Sequence, residues 1–171
     1  MTDPLNLLLQ AIESTDWPTA RSASEALAAY GDASLPGLLP LLTSLSATTR
    51  HAVALALREI ADDRSVKPLL DAMRDPVTTG TRGGLVWALQ THTCEDHFLF
   101  LFNLALTDTY EVQNHVLTII SEQEFWYELE DLDMAQIQLD LYARCQYRDQ
   151  GTDLLINELQ ILLTDLRHQA A

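Results

Sequence analysis

The turn His92-Thr93-Cys94-Glu95-Asp96-His97 gathers two imidazoles, a thiol and two carboxylates. Imidazole and thiolate are the ligands zinc prefers. However, H-x-C-x-x-H supplies three soft ligands and has no second ligand pair elsewhere, whereas a structural zinc site needs four. A helix start accounts for the same residues, since Glu95 and Asp96 sit where the helix dipole favours negative charge. No metal and no cofactor are therefore expected. Catalytic signatures are missing too. There is no glycine-rich phosphate loop, no G-x-S-x-G and no H-E-x-x-H. Carboxylates are plentiful, but their spacing does not show two of them facing each other, so a general acid/base pair has no support. The expectation is a protein without enzymatic activity.

Other residues carry binding chemistry. Trp87 is a large aromatic in a helical stretch of small and aliphatic residues, and tryptophan is a favoured hot-spot residue at interfaces. Packing against a neighbouring element accounts for it about as well. Residues 122–133 read EQEFWYELEDLD, joining Phe125, Trp126 and Tyr127 to the acids Glu122, Glu124, Glu128, Glu130, Asp131 and Asp133. Such a segment suits a basic, partly apolar partner, with aromatics for area and acids for steering. The alternative is an irregular turn whose aromatics plug the end of a core.

Charge narrows the partners. The formal net charge is −15 over 171 residues. Between Arg82 and Arg144 there is no Lys or Arg, against 11 Asp and Glu. Nucleic-acid affinity rests on Lys and Arg releasing phosphate counterions, so nucleic acids and anionic membranes are disfavoured. A basic protein is the natural complement. No apolar run approaches the ~18 residues of a membrane span. The N-terminus lacks the basic-then-apolar pattern of a signal peptide, so a cytoplasmic location is expected. Cys94 and Cys145 are far apart and read as two free, buried thiols.

The elements that must position these residues are helices, and they repeat. Leu57 aligns with Leu89 at a spacing of 32, which sets Arg50 over Arg82 and Leu69 over Leu101. An earlier copy matches Leu27 to Leu57 at 30, with Gly31-Asp32 over Ala61-Asp62, and a later one matches Leu89 to Ile120 at 31. Asp3-Pro4 and Asp16-Trp17-Pro18 read as capped helix starts. A leucine-rich helix is expected from Ser34-Leu35-Pro36 through Leu45, another over Arg50 to Ala61, and a third capped by Ser65. Beyond Ser121 the register is lost, with two further helices expected at about 134–146 and 152–168 and a turn at Arg148 to Gly151. A helix-pair unit of about 30 residues predicts an all-α solenoid. It fits one domain over 1–171, with clear repeats over 17–121 and a divergent cap over 122–171.

Arg50 with Ala52, Ala54, Ala56 and Leu57, then Ile60, Asp62 and Pro68-Leu69-Leu70, resembles a HEAT repeat, and more narrowly the short repeats of phycobilisome-lyase type. The resemblance implies a right-handed α-α superhelix of about five helix pairs. It also implies that the arginine-bearing helices line the concave face, with protein binding the commonest role. HEAT-type hydroxylases carry repeated His-Glu pairs, and no histidine here precedes a glutamate. HEAT-like DNA glycosylases need a basic cleft, which the charge distribution denies. On the repeat register, the positions projecting from the inner helices are Arg21, Glu25 and Ala28; His51, Leu55 and Arg58; Gly83, Trp87 and Gln90; Asn114, Thr118 and Ser121. Ser22, Ala52 and Gly84 fall in one small-residue slot, which His115 occupies in the last copy. The expected function is a scaffold or adaptor that binds a basic protein through Trp87, His51, Leu55, Arg58, Gln90, Asn114 and Thr118, and through Phe125, Trp126, Tyr127, Glu128, Glu130 and Asp131. Rival readings are a phycobilin-lyase-like chaperone of a tetrapyrrole-binding protein, an acidic immunity or inhibitor protein, and self-assembly through exposed solenoid ends.

Overall fold

The structure is a computed structural model that describes residues 3–145 and 150–169. Its described helices are α1 (Pro4–Ala11), α2 (Trp17–Ala29), α3 (Leu35–Leu38), α4 (Ala47–Ile60), α5 (Val66–Arg74), α6 (Gly83–Leu89), α7 (Phe98–Thr107), α8 (Tyr110–Glu122), α9 (Leu129–Cys145) and α10 (Gln150–Gln169). They pack as successive antiparallel-type pairs: α1 with α2, α3 and its following turn with α4, α5 with α6, α7 with α8, α9 with α10. The second helices form an inner layer in which α2 packs on α4, α4 on α6 and α6 on α8. This is an α-solenoid.

Several starts follow the capping logic. Asp3 accepts from the Leu5 amide (3.2 Å), Asp16 from Thr19 (3.1 Å), Ser46 from Thr49 (3.2 Å) and Thr109 from Val112 (3.5 Å). Each such bond satisfies an amide that has no partner within the first turn. Ser46 therefore begins α4 at Ala47, one turn before the expected Arg50. Two other expectations fail on local chemistry. The leucine-rich helix stops at Leu38 and continues as a 3₁₀ segment, Leu39–Thr43, because Pro40 offers no amide and crowds the preceding turn. That leaves Leu45 outside any helix and 91% exposed. Ser65 does not cap α5. Its hydroxyl is buried without a partner, and Asp62 instead accepts from the Arg64 amide at the start of the 3₁₀ turn before α5.

Polar ties join one turn to the next. The Arg50 guanidinium is buried; it donates to the Ser44 carbonyl (2.6 Å) and to Thr81 Oγ1 (2.7 Å) in the next repeat. Its counterpart Arg82 donates to Asp108 Oδ2 at 2.6 Å, and the Asp108 side chain is only 3% exposed. On the other edge, Asp63 accepts from the Thr93 amide (2.9 Å), and Gln123 from the Cys94 amide (3.0 Å). Between inner helices, the buried Ser24 hydroxyl donates to the Ala52 carbonyl (2.7 Å). Ser24, not Ser22, is thus the small residue at the α2–α4 contact; Ser22 is exposed.

The C-terminal pair differs from expectation. The chain is extended from Gln123, and α9 begins at Leu129 rather than 134, with Asp133 inside it. Arg148 and Asp149 of the expected turn lie outside the described residues. The pair buries Leu132, Ala135 and Leu139 of α9 with Leu155, Leu159 and Leu163 of α10. Met134, Ile137 and Leu141 on α9, and Leu154 and Ile161 on α10, remain exposed, so the cap is less polar on its outer side than a solenoid end usually is. Cys94 is buried as expected, and its thiol is pushed up to about 12 by burial; Cys145 is exposed.

The repeat explains one strained position. Gly31 (φ 59°) and Ala61 (φ 50°) both end an inner helix in the left-handed region, where a side chain costs about 1–2 kcal/mol. Ala61→Gly should gain about 0.5–1 kcal/mol after the entropy cost of glycine, and Gly31→Ala should lose a similar amount. Thermal melts check both, at about 2–4 °C per kcal/mol for a chain of this length; equal melting points for all three proteins would refute the conformational argument. Asp108→Ala, which strands the Arg82 guanidinium, should destabilise by about 2–4 kcal/mol in denaturant titrations.

Candidate functional site

The inner helices enclose a groove of about 690 Å³, lined by Trp17, Arg21, Glu25 and Ala28 from α2, His51, Leu55 and Glu59 from α4, Gly84 and Trp87 from α6, and Glu111 and His115 from α8. The residues from each helix recur at three- or four-residue intervals, so they share one helical face. The glycines of α6 determine how close its neighbours come. A Cβ on Gly84 would stand 2.8 Å from His51 Nδ1, and one on Gly83 would strike the Glu111 carboxylate. His51 and Glu111 therefore lie over α6 from its two sides. This is the packing reason for a Gly-Gly pair that costs the helix about 1 kcal/mol per residue.

The aromatic residues are held differently. Trp17 packs against His51 in a tilted arrangement, with ring centroids 5.0 Å apart and the planes at 48°. Trp87 is half-buried, and the Arg58 guanidinium lies 4.2 Å from its ring centroid. Arg58 also donates to the Trp87 carbonyl (2.5 Å) and to Gln90 Oε1 (3.1 Å). With its Oε1 occupied, Gln90 presents its amide nitrogen to His115 Nδ1 at 3.2 Å. Nδ1 is then an acceptor, so the neutral ring carries its proton on Nε2. Burial lowers the His115 pKa, Arg58 adds to this, and Glu111 opposes it. Arg21 pairs with Glu25 at 2.9 Å. Glu59 and Glu111 make no hydrogen bond or ion pair among the described residues.

The structure sorts the expected binding residues. Trp87, His51 and Leu55 line the groove. Arg58 and Gln90 brace it from α4 and α6 without lining it. Asn114 and Thr118 do not reach it; with Ser121 they border a separate cleft facing Glu158 and Leu162 of α10. On α8 the groove is lined instead by Glu111 and His115, and Gln90 meets His115. Trp17, Glu59 and Glu111 were absent from the strip projected from the repeat. Trp17 belongs to the capped start of α2, and its four-residue spacing to Arg21 and Glu25 places it on the same helical face.

The aromatic-acidic segment divides by alternation. Because the chain is extended there, successive side chains point to opposite sides. Phe125 and Tyr127 turn inward and pack on Phe98, with centroids 5.9 and 5.8 Å away, and the Tyr127 hydroxyl donates to the Leu166 carbonyl (3.3 Å). These two are partly buried and pack against the core. Trp126 turns outward and is 69% exposed, its amide bonded to the Glu95 carbonyl at 2.9 Å. Glu128 and Glu130 are exposed, and Asp131 is partly buried, accepting from the Glu128 amide at 2.9 Å.

The His-Cys turn is occupied by structural bonds. His92 is buried with Nδ1 2.9 Å from the Ala88 carbonyl, and burial lowers its pKa. The Cys94 thiol lies near the Leu89 and His92 carbonyls. Among the described residues no three His, Cys, Asp or Glu side chains stand together as a metal site needs. No helix among them is long and apolar enough to cross a membrane.

A histidine-resolved NMR titration should place His92 and His115 below the ordinary imidazole value of 6.5. The unfolded chain then binds more protons near that pH, so stability should fall as pH drops from 7 to 5.5. Unchanged or rising stability over that window, or His115 titrating above 6.5, would contradict the burial argument.

A family model described as HEAT repeats matches residues 5–90, just over half of the 171-residue chain. No curated protein and no solved structure matches it. The matched segment spans α1 to α6, the first three helix pairs and three of the four helices that line the groove. HEAT repeats generally serve as protein-interaction scaffolds. With helix pairs stacked through the described chain and this match over half of it, the protein belongs to the HEAT-repeat family.

Proposed function

We propose that this protein is a non-enzymatic scaffold or adaptor whose concave groove holds a basic segment of a protein partner, with the acidic C-terminal half steering the approach. The observation that carries this reading is the pairing of two indoles, Trp17 and Trp87, with two unpaired carboxylates, Glu59 and Glu111, in one groove. Aromatic area and uncompensated acid are what a basic, partly apolar segment needs. Binding rather than catalysis is supported by the lining itself. It contains no Ser, Thr, Cys, Lys or Tyr, and His115 is hydrogen-bonded to Gln90. The net charge of −15 favours long-range attraction of a cationic partner, an effect carried mainly in the association rate. Trp126, Glu128 and Glu130 lie exposed together on the C-terminal side and serve as a secondary contact.

Selection from a random-peptide library displayed on phage tests the reading. Basic sequences should be enriched, and their affinity should fall about tenfold or more between 50 and 500 mM salt as charge is screened. Leu55→Arg, placed in the groove, should abolish capture. Enrichment of neutral or acidic sequences, or equal capture by the Leu55→Arg protein, would overturn it.

A further inference from the structure

We infer that the groove is built around a receptor for one guanidinium group, the side chain of an arginine presented by the protein partner. The inference rests on the groove being the binding surface and goes further by naming what that surface reads.

The groove's own charges leave a specific deficit. Arg21 is neutralised by Glu25 at 2.9 Å. Arg58 has its Nη1 committed to the Trp87 carbonyl and Gln90, and its charged plane to the Trp87 ring. His115 accepts from Gln90 at Nδ1, and burial favours its neutral form. Glu59 and Glu111 have no ion-pair partner among the described residues, and Arg58, which adjoins the groove without lining it, faces the Trp87 ring and Gln90 rather than either acid. A carboxylate or phosphate ligand would be repelled, and a neutral ligand would gain no charge attraction from either acid.

The aromatic walls choose among cations. A guanidinium is planar, weakly hydrated and able to stack on an indole while donating in its own plane to a carboxylate. An ammonium is a compact, strongly hydrated charge and gains less from a flat wall. The molecule already contains one example of the contact, with Arg58 lying on Trp87 at 4.2 Å. That contact also fixes the ring, so the indole needs no ordering when a ligand arrives. Trp17, steadied by His51 at 5.0 Å, provides the second wall. A volume of about 690 Å³ is ample for one arginine side chain with its flanking backbone.

The test uses the full chain and small defined probes, read by the indole N–H signals of its tryptophans. Acetyl-arginine methylamide should shift the Trp17 and Trp87 signals saturably, while Trp126, outside the groove, stays still. The citrulline analogue, equal in shape but uncharged, should bind at least tenfold more weakly, and the lysine analogue should fall between them. Glu59→Gln and Glu111→Gln should each weaken arginine binding by about tenfold, the scale of one charge-assisted hydrogen bond, without lowering the melting point. Citrulline binding as well as arginine would overturn the inference, as would n-butylguanidinium binding tenfold tighter than the capped amino acid, which points to a free organic cation. Library peptides that occupy the groove with no need for arginine would also overturn it while leaving the binding surface intact. Groove signals untouched by both arginine and every selected peptide would remove the surface itself.

Discussion

The ties between successive turns hold the rest of this structure in place. In a solenoid each helix pair contacts mainly its neighbours, so the level of one inner helix against the next must be set locally. Arg50 does this for the second and third pairs by donating to both the Ser44 carbonyl and Thr81, and Arg82 does it for the third and fourth through Asp108. A buried guanidinium without a partner would be costly, so sliding one repeat against the next is opposed by desolvation as well as by lost packing. On the opposite edge, the Asp63 carboxylate and the Gln123 side-chain carbonyl receive amides from the turn at Thr93 and Cys94. The groove exists because both edges are pinned.

Within that frame, α6 is the element on which the groove depends. It is the shortest of the inner helices and opens on Gly83-Gly84. The missing side chains let His51 reach across from α4 and Glu111 from α8, and at its other end Trp87 and Gln90 link to Arg58 and His115. Aromatic, acidic and imidazole groups from four helices are thereby held around one seven-residue helix. The Trp87 ring, covered by Arg58, and the His115 ring, bonded to Gln90, are restrained before any ligand arrives, which lowers the ordering cost of binding.

The repeat was legible because it is written in spacing. Leucines at 30 to 32 residues and capping residues at Asp3 and Asp16 need only helical geometry to be understood. The leucine periodicity from Leu35 to Leu45 reads as one helix, but Pro40 within it removes an amide, and the helix gives way to a 3₁₀ segment. Phe125 and Tyr127 were not legible in this way. Their composition suits either a surface or a plug, and only the extended backbone sends alternate side chains inward to Phe98 and outward at Trp126.

The amino-acid sequence alone determined the all-helical repeat, the family it resembles, the acidic balance and the inner-face positions of His51, Leu55 and Trp87, since these follow from period, composition and register within one or two helices. Tertiary structure decided which helix faces meet. It brought Trp17, Glu59, Glu111 and His115 into the groove, turned Asn114 and Thr118 toward α10, and set Arg58 on Trp87. A spacing repeated along the chain fixes angles about each helix axis, but the relative level of neighbouring helices depends on side-chain contacts that no single repeat contains.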